Sequence, residues 1–80
     1  MSESLALRGR LAVNEKAIHA LTCGIDTDIE ELRTLADKFE EKIELKTDRM
    51  VLVTDRLNTQ VIKLREITNQ SAAIKKELGE

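Results

Sequence analysis

The sequence lacks proline and has few residues that interrupt helices or mark other fold classes. Its 80 residues include three glycines, one cysteine and one aromatic residue, Phe39. Without proline the strongest helix breaker is absent, and a single cysteine excludes an intramolecular disulfide framework. Charged residues make up 35% of the chain, a composition that leans towards coiled coils and long helices. We therefore predict an all-α fold and a single helical domain spanning 1–80.

Long apolar runs are also missing. No stretch approaches the roughly 20 apolar residues needed to span a bilayer. The start, MSESLALRGRLAV, has no basic segment before a sustained apolar run, as a secretory signal would. One cysteine fits a reducing compartment, and a net charge of −2 implies no long-range attraction to a polyanion. We expect a cytoplasmic protein that binds neither a membrane nor nucleic acid.

Apolar residues recur in the seven-residue pattern of a coiled-coil seam. The repeat shifts by four residues between Phe39 and Ile43, a stutter that is tolerated within one helix. We predict that this seam is the partner interface, made of Leu11, Ile18, Leu21, Ile25, Ile29, Leu32, Phe39, Ile43, Met50, Val53, Leu57, Leu64, Ile67 and Ile74.

The stretch LTCGIDTDIEEL contains signals for a helix end and a helix start. Gly24 is a suitable residue just past a helix end, and Thr27 with Glu30 matches a capping box. These signals predict a first helix over about 4–23, a turn at 24–26 and a long helix over about 27–78. The alternative is a continuous helix, because the heptad spacing persists through the stretch and one glycine costs only about 1 kcal/mol.

So long a second helix cannot be covered by a first helix of about twenty residues. Its far half would need a second copy of the chain or another helical protein. The segment 26–44 is acidic and the segment from 45 onwards is basic, so antiparallel pairing of two long helices brings opposite charges together. We expect an antiparallel coiled coil or helical bundle that forms on oligomerisation, as a dimer or tetramer. Val51, Leu52 and Ile62 lie off the seam, which favours a bundle over a two-stranded rod.

Five seam positions are polar, and two interpretations of them stay open. They lie near helix ends or in water, or they are buried and fix the register and copy number at some cost in stability. These residues are Asn14, Asp28, Lys46, Gln60 and Ser71.

Chemistry-bearing motifs are scarce. His19 and Cys23 share a helix face at a spacing that suits two metal ligands, but a closed zinc site needs four ligands. The acidic run from Asp26 does not match a calcium loop, because Glu31 stands where that loop needs glycine. We predict no catalytic, metal or cofactor site and no enzyme activity. The expected function is that of an oligomerising adaptor or small assembly subunit. The alternatives are a chaperone or hetero-complex subunit completed by a foreign helix and, ranked below it, a nucleic-acid-binding accessory protein.

Overall fold

The computed structural model describes residues 2–79 as two helices of equal length that pack side by side. Helix α1 spans Ser2–Ala36 and helix α2 spans Ile43–Glu77, each 35 residues long, with a turn over 37–42 between them. The molecule measures 61 × 16 × 14 Å, the shape of a two-helix rod. The all-α hairpin expected from the sequence is confirmed. Residues 1 and 80, which the predicted domain of 1–80 includes, lie outside the described residues.

The two seams of the heptad pattern face each other within one chain. Leu11 on α1 and Ile74 on α2 are buried, as is Val53 in the first third of α2. Asn14 donates a hydrogen bond to Ser71 over 3.2 Å, which joins the first half of α1 to the second half of α2, as antiparallel packing requires. Because α1 is as long as α2, the far half of α2 is covered without another chain. The inference that this half needs a second chain is therefore wrong.

The predicted turn at 24–26 is also wrong, and with it the predicted helix bounds of about 4–23 and 27–78. Gly24 lies inside α1 and is half-buried against the side chain of Gln60. The hydroxyl of Thr27 donates to the carbonyl of Cys23, one helical turn back, over 3.0 Å, instead of capping a new helix. One glycine costs about 1 kcal/mol in a helix, and the packing of a full seam outweighs that cost.

The chain reverses direction at the stutter between Phe39 and Ile43, without a glycine or a proline. Lys38 and Lys42 adopt left-handed backbone angles, with φ of 49° and 55°. Lys46 donates from Nζ to the carbonyl oxygens of Asp37 and Lys38, over 3.0 and 2.5 Å. The first turn of α2 thus satisfies carbonyl groups that the end of α1 leaves without helical partners. The change in heptad phase marked a change of helix, not a slip inside one.

Candidate interaction surface

A buried carboxylate lies within the seam between the helices, nearer to the turn than to the open end of the hairpin. Asp28 on α1 is only 2% exposed. Its Oδ1 accepts hydrogen bonds from Nε and Nη2 of Arg56, over 2.9 and 2.6 Å, and its Oδ2 accepts from Nε2 of Gln60 over 2.5 Å. Gly24 makes room for this arrangement, because a Cβ at that position would lie 2.1 Å from Oε1 of Gln60. Both oxygens of a buried charge are thereby satisfied, as burial of a charge requires.

A second carboxylate extends this site towards the turn. Glu31 accepts hydrogen bonds from Nε and Nη2 of Arg49, the latter over 3.1 Å, and from Nη2 of Arg56 over 3.3 Å. We call these four residues, Asp28, Glu31, Arg49 and Arg56, the ion-pair cluster. The acidic and basic segments do meet in antiparallel fashion, but the partners belong to the same chain.

The ion-pair cluster holds its carboxylates in the charged form. Hydrogen bonds from Arg56 lower the pKa of Asp28 below its ordinary value of 3.8, against the opposing effect of burial. Hydrogen bonding to Arg49 likewise lowers the pKa of Glu31 below its ordinary 4.5. The same contacts raise the pKa values of Arg49 and Arg56. The cluster is therefore fully ionised at neutral pH.

Of the five polar seam residues, four are paired across the two helices and one lies near a helix end. Asn14 pairs with Ser71, and Asp28 pairs with Gln60, so these four side chains satisfy one another across the helices. Lys46 lies at the turn, where it binds backbone carbonyls. Specific cross-helix hydrogen bonds of this kind disfavour other registers, in which buried polar groups would lose their partners.

The structure places the predicted interface residues mainly on the faces that the helices turn towards each other. Three are buried, ten are half-buried and Ile43, next to the turn, is exposed. Most of these side chains thus pack against the other helix of the same chain. That they also bind a separate partner stays a prediction. The buried residues are Leu11, Val53 and Ile74, and the half-buried ones are Ile18, Leu21, Ile25, Ile29, Leu32, Phe39, Met50, Leu57, Leu64 and Ile67.

Large apolar side chains also remain on the outside of the hairpin. Eight of them are between 41% and 74% exposed, and six of the eight lie on α2: Leu5, Val13, Ile43, Leu45, Val51, Leu52, Val61 and Ile62. The sequence had singled out Val51, Leu52 and Ile62 as lying off the seam. It had not singled out Leu45 and Val61, although the seven-residue spacing of Leu45 and Leu52 was a usable signal. Exposed apolar side chains become informative where they cluster, because large apolar patches mark interaction sites.

His19 and Cys23 lie together on the outer face of α1. The Sγ atom of Cys23 is 3.9 Å from Nε2 of His19, and both side chains are exposed. Within residues 2–79, no group of three or more histidine, cysteine or acidic side chains is arranged to hold a metal ion. The pair alone provides two of the four ligands of a closed zinc site.

Comparison with known proteins gives no match, whether to a family model, a curated protein or a solved structure. In the part of the chain that the structure describes, neither helix is long and apolar enough to cross a membrane. The fold and the surface thus define a two-helix antiparallel hairpin with one paired seam and several exposed apolar side chains on the outside of α2.

Proposed function

We propose that the chain is a non-enzymatic structural protein, an oligomerising coiled-coil adaptor or small assembly subunit. The observation that supports this proposal most directly is the imbalance between buried and exposed apolar side chains. Across residues 2–79, three large apolar residues are buried and eight are exposed. Two helices can bury only the stripe along which they touch, so the hairpin has apolar surface to offer to further helices.

Energetic considerations favour an assembly over an isolated hairpin. A chain of 80 residues buries a modest share of its surface when it folds alone. Covering apolar surface stabilises by roughly 25 cal/mol for each Å² removed from water. The outer residues of α2 would contribute this stabilisation only when another helix covers them. We propose a second copy of the same chain as that partner, in a dimer or tetramer.

The charges support protein binding over nucleic-acid binding. Arg49 and Arg56 of α2, which could otherwise contact phosphate groups, are engaged by carboxylates of α1. Neutralised arginines release few counterions from a phosphate backbone. We also propose the cytoplasm as the site of action, because the single thiol, on Cys23, is exposed and would persist in reduced form there.

The mass of the protein in solution tests the proposal. We expect light scattering after size exclusion to give a multiple of the 9.0 kDa chain mass, with high helicity by circular dichroism at the same concentrations. A helical species of 9.0 kDa at every concentration would contradict self-assembly and favour completion by a foreign helix. A gel shift with duplex and single-stranded DNA at low salt gives the complementary measurement, and binding there would favour the nucleic-acid alternative.

A further inference from the structure

A second stripe with heptad spacing runs along the outside of α2. Its members alternate in steps of three and four residues, which keeps them on one face of the helix, and all of them are exposed. We call it the outer stripe: Asp48, Val51, Asp55, Asn58, Ile62 and Arg65. Val51 is 59% exposed and Ile62 is 41% exposed. The adjacent Leu52 and Val61 widen the apolar part of the stripe on either side.

The charged residues of the outer stripe differ from those of the ion-pair cluster. Cluster carboxylates are bound by arginines of the other helix. In the part of the chain that the structure describes, Asp48 and Arg65 take part in no such ion pair. Each therefore has its charge available to a partner.

The outer stripe is complementary to itself under a two-fold rotation. Val51 and Ile62 lie at equal distances on either side of a point between Arg56 and Leu57. Asp48 and Arg65 lie symmetrically about the same point. If two copies of α2 pack antiparallel about that point, Val51 of each copy faces Ile62 of the other, and Asp48 of each faces Arg65 of the other. Each favourable contact then occurs twice, as an isologous interface requires.

Other arrangements of the same stripe lack this match. Parallel packing places Asp48 beside Asp48 and Arg65 beside Arg65, which is repulsive. An antiparallel shift of one heptad places Val51 opposite Asp55 or Asn69, so the apolar contacts are lost. We infer that the outer stripe of α2 is a dimerisation surface on which a second copy of this chain packs antiparallel, α2 against α2. This inference rests on the proposed self-assembly and identifies the surface that performs it.

Charge reversal tests both the surface and the register. The variant Asp48→Arg carries arginine at both 48 and 65, and the variant Arg65→Asp carries aspartate at both. Each alone would form a dimer with two like-charge contacts in place of two attractive ones. We expect each variant to raise the dimer dissociation constant about tenfold or more, an effect that weakens with added salt. Mixed together, the two variants regain opposite charges at both contacts, and we expect a heterodimer about as tight as the wild-type dimer.

A matched pair of apolar variants separates the surface from general effects on folding. Val51→Asp lies in the outer stripe, whereas Val13→Asp lies on α1 at a comparably exposed position, 66% against 59%. Both place the same residue in the interior of a 35-residue helix. We expect Val51→Asp to abolish dimerisation while helicity persists, and Val13→Asp to leave the dissociation constant within about threefold of wild type, as a substitution outside the contact should.

The outcomes distinguish failure of this inference from failure of the proposed function. Sedimentation equilibrium of wild type and variants gives the dissociation constants. A wild-type protein that stays monomeric overturns both. A wild-type oligomer whose dissociation constant is unchanged by Asp48→Arg and Val51→Asp leaves the proposed function standing and overturns the surface. If both charge variants weaken assembly but the mixture does not restore it, the antiparallel register is overturned.

Discussion

Replacing Gly24 with alanine puts two effects of known size in opposition. Alanine is better than glycine in the interior of a helix by about 1 kcal/mol, and Gly24 lies in the interior of α1. However, the new Cβ would lie 2.1 Å from Oε1 and 3.2 Å from Cδ of Gln60. The carboxamide of Gln60 must then move away from the carboxylate that it binds over 2.5 Å.

The lost hydrogen bond outweighs the gain in helix propensity. Bonds to charged groups contribute about 1.5–3 kcal/mol, so we expect Gly24→Ala to lower the free energy of unfolding by about 0.5–2 kcal/mol. In a Gln60→Ala background the obstructing side chain is absent. There the same change should raise stability by about 1 kcal/mol, so the sign of the effect reverses.

The wild type, Gly24→Ala, Gln60→Ala and the double variant form a double-mutant cycle. Urea denaturation followed by circular dichroism, at one fixed protein concentration, measures the free energy of unfolding of all four. Gly9→Ala is a matched control, because Gly9 is also helical and a Cβ there would have no neighbour within 4 Å. It should gain about 1 kcal/mol. If Gly24→Ala stabilises as much as Gly9→Ala, the close packing of Gln60 on Gly24 is not what determines stability at this position.

Two further predictions concern the turn and the ion-pair cluster. Lys38→Gly should raise the free energy of unfolding by about 0.5–1 kcal/mol, because glycine adopts a φ of 49° without the strain of a side chain. Thermal unfolding measures this change, and a lower unfolding midpoint than that of the wild type would contradict the prediction. Asp28 and Glu31 have lowered pKa values in the folded chain. Their ionised forms therefore add to the free energy of unfolding above their ordinary pKa values of 3.8 and 4.5. This stabilisation is lost as the pH falls through the lowered pKa values of the folded chain. Urea midpoints measured from neutral to strongly acidic pH should therefore fall below about pH 4, and an Asp28→Asn, Glu31→Gln variant should show a smaller fall over the same range; equal falls would show that other carboxylates are responsible.

The sequence indicated the paired positions better than it indicated the ends of the helices. The a/d residues from Leu11 to Leu32 lie along α1 and those from Met50 to Ile74 lie along α2, whereas Phe39 lies in the turn between them. This worked because side-chain period is a local property of a helix. The turn was misplaced because Gly24, Thr27 and Glu30 resemble end signals that are each worth only about 1 kcal/mol. The signal at the true turn was the phase shift between Phe39 and Ile43, where two lysines adopt the left-handed conformation that glycine usually provides.

The choice of partner for each polar seam residue was beyond local reasoning. That Asn14 binds Ser71, and that Asp28 binds Arg56 and Gln60, depends on which residues face each other once the chain reverses. An antiparallel meeting of acidic and basic segments was expected between chains and occurs within one. The physical reason is that a turn of six residues, 37–42, closes at little cost in entropy and gives α2 a high effective concentration beside α1.

By itself, the amino-acid sequence determined that the chain is helical, which positions carry the seam and that α2 carries apolar side chains off the seam. These properties follow from composition and from the 3.6-residue period of the helix. Only the tertiary structure decided where the chain turns and which charges pair, and it placed Gly24 against Gln60 within an unbroken helix. Those outcomes depend on the packing energy of two complete faces, which exceeds the local preferences of any single residue.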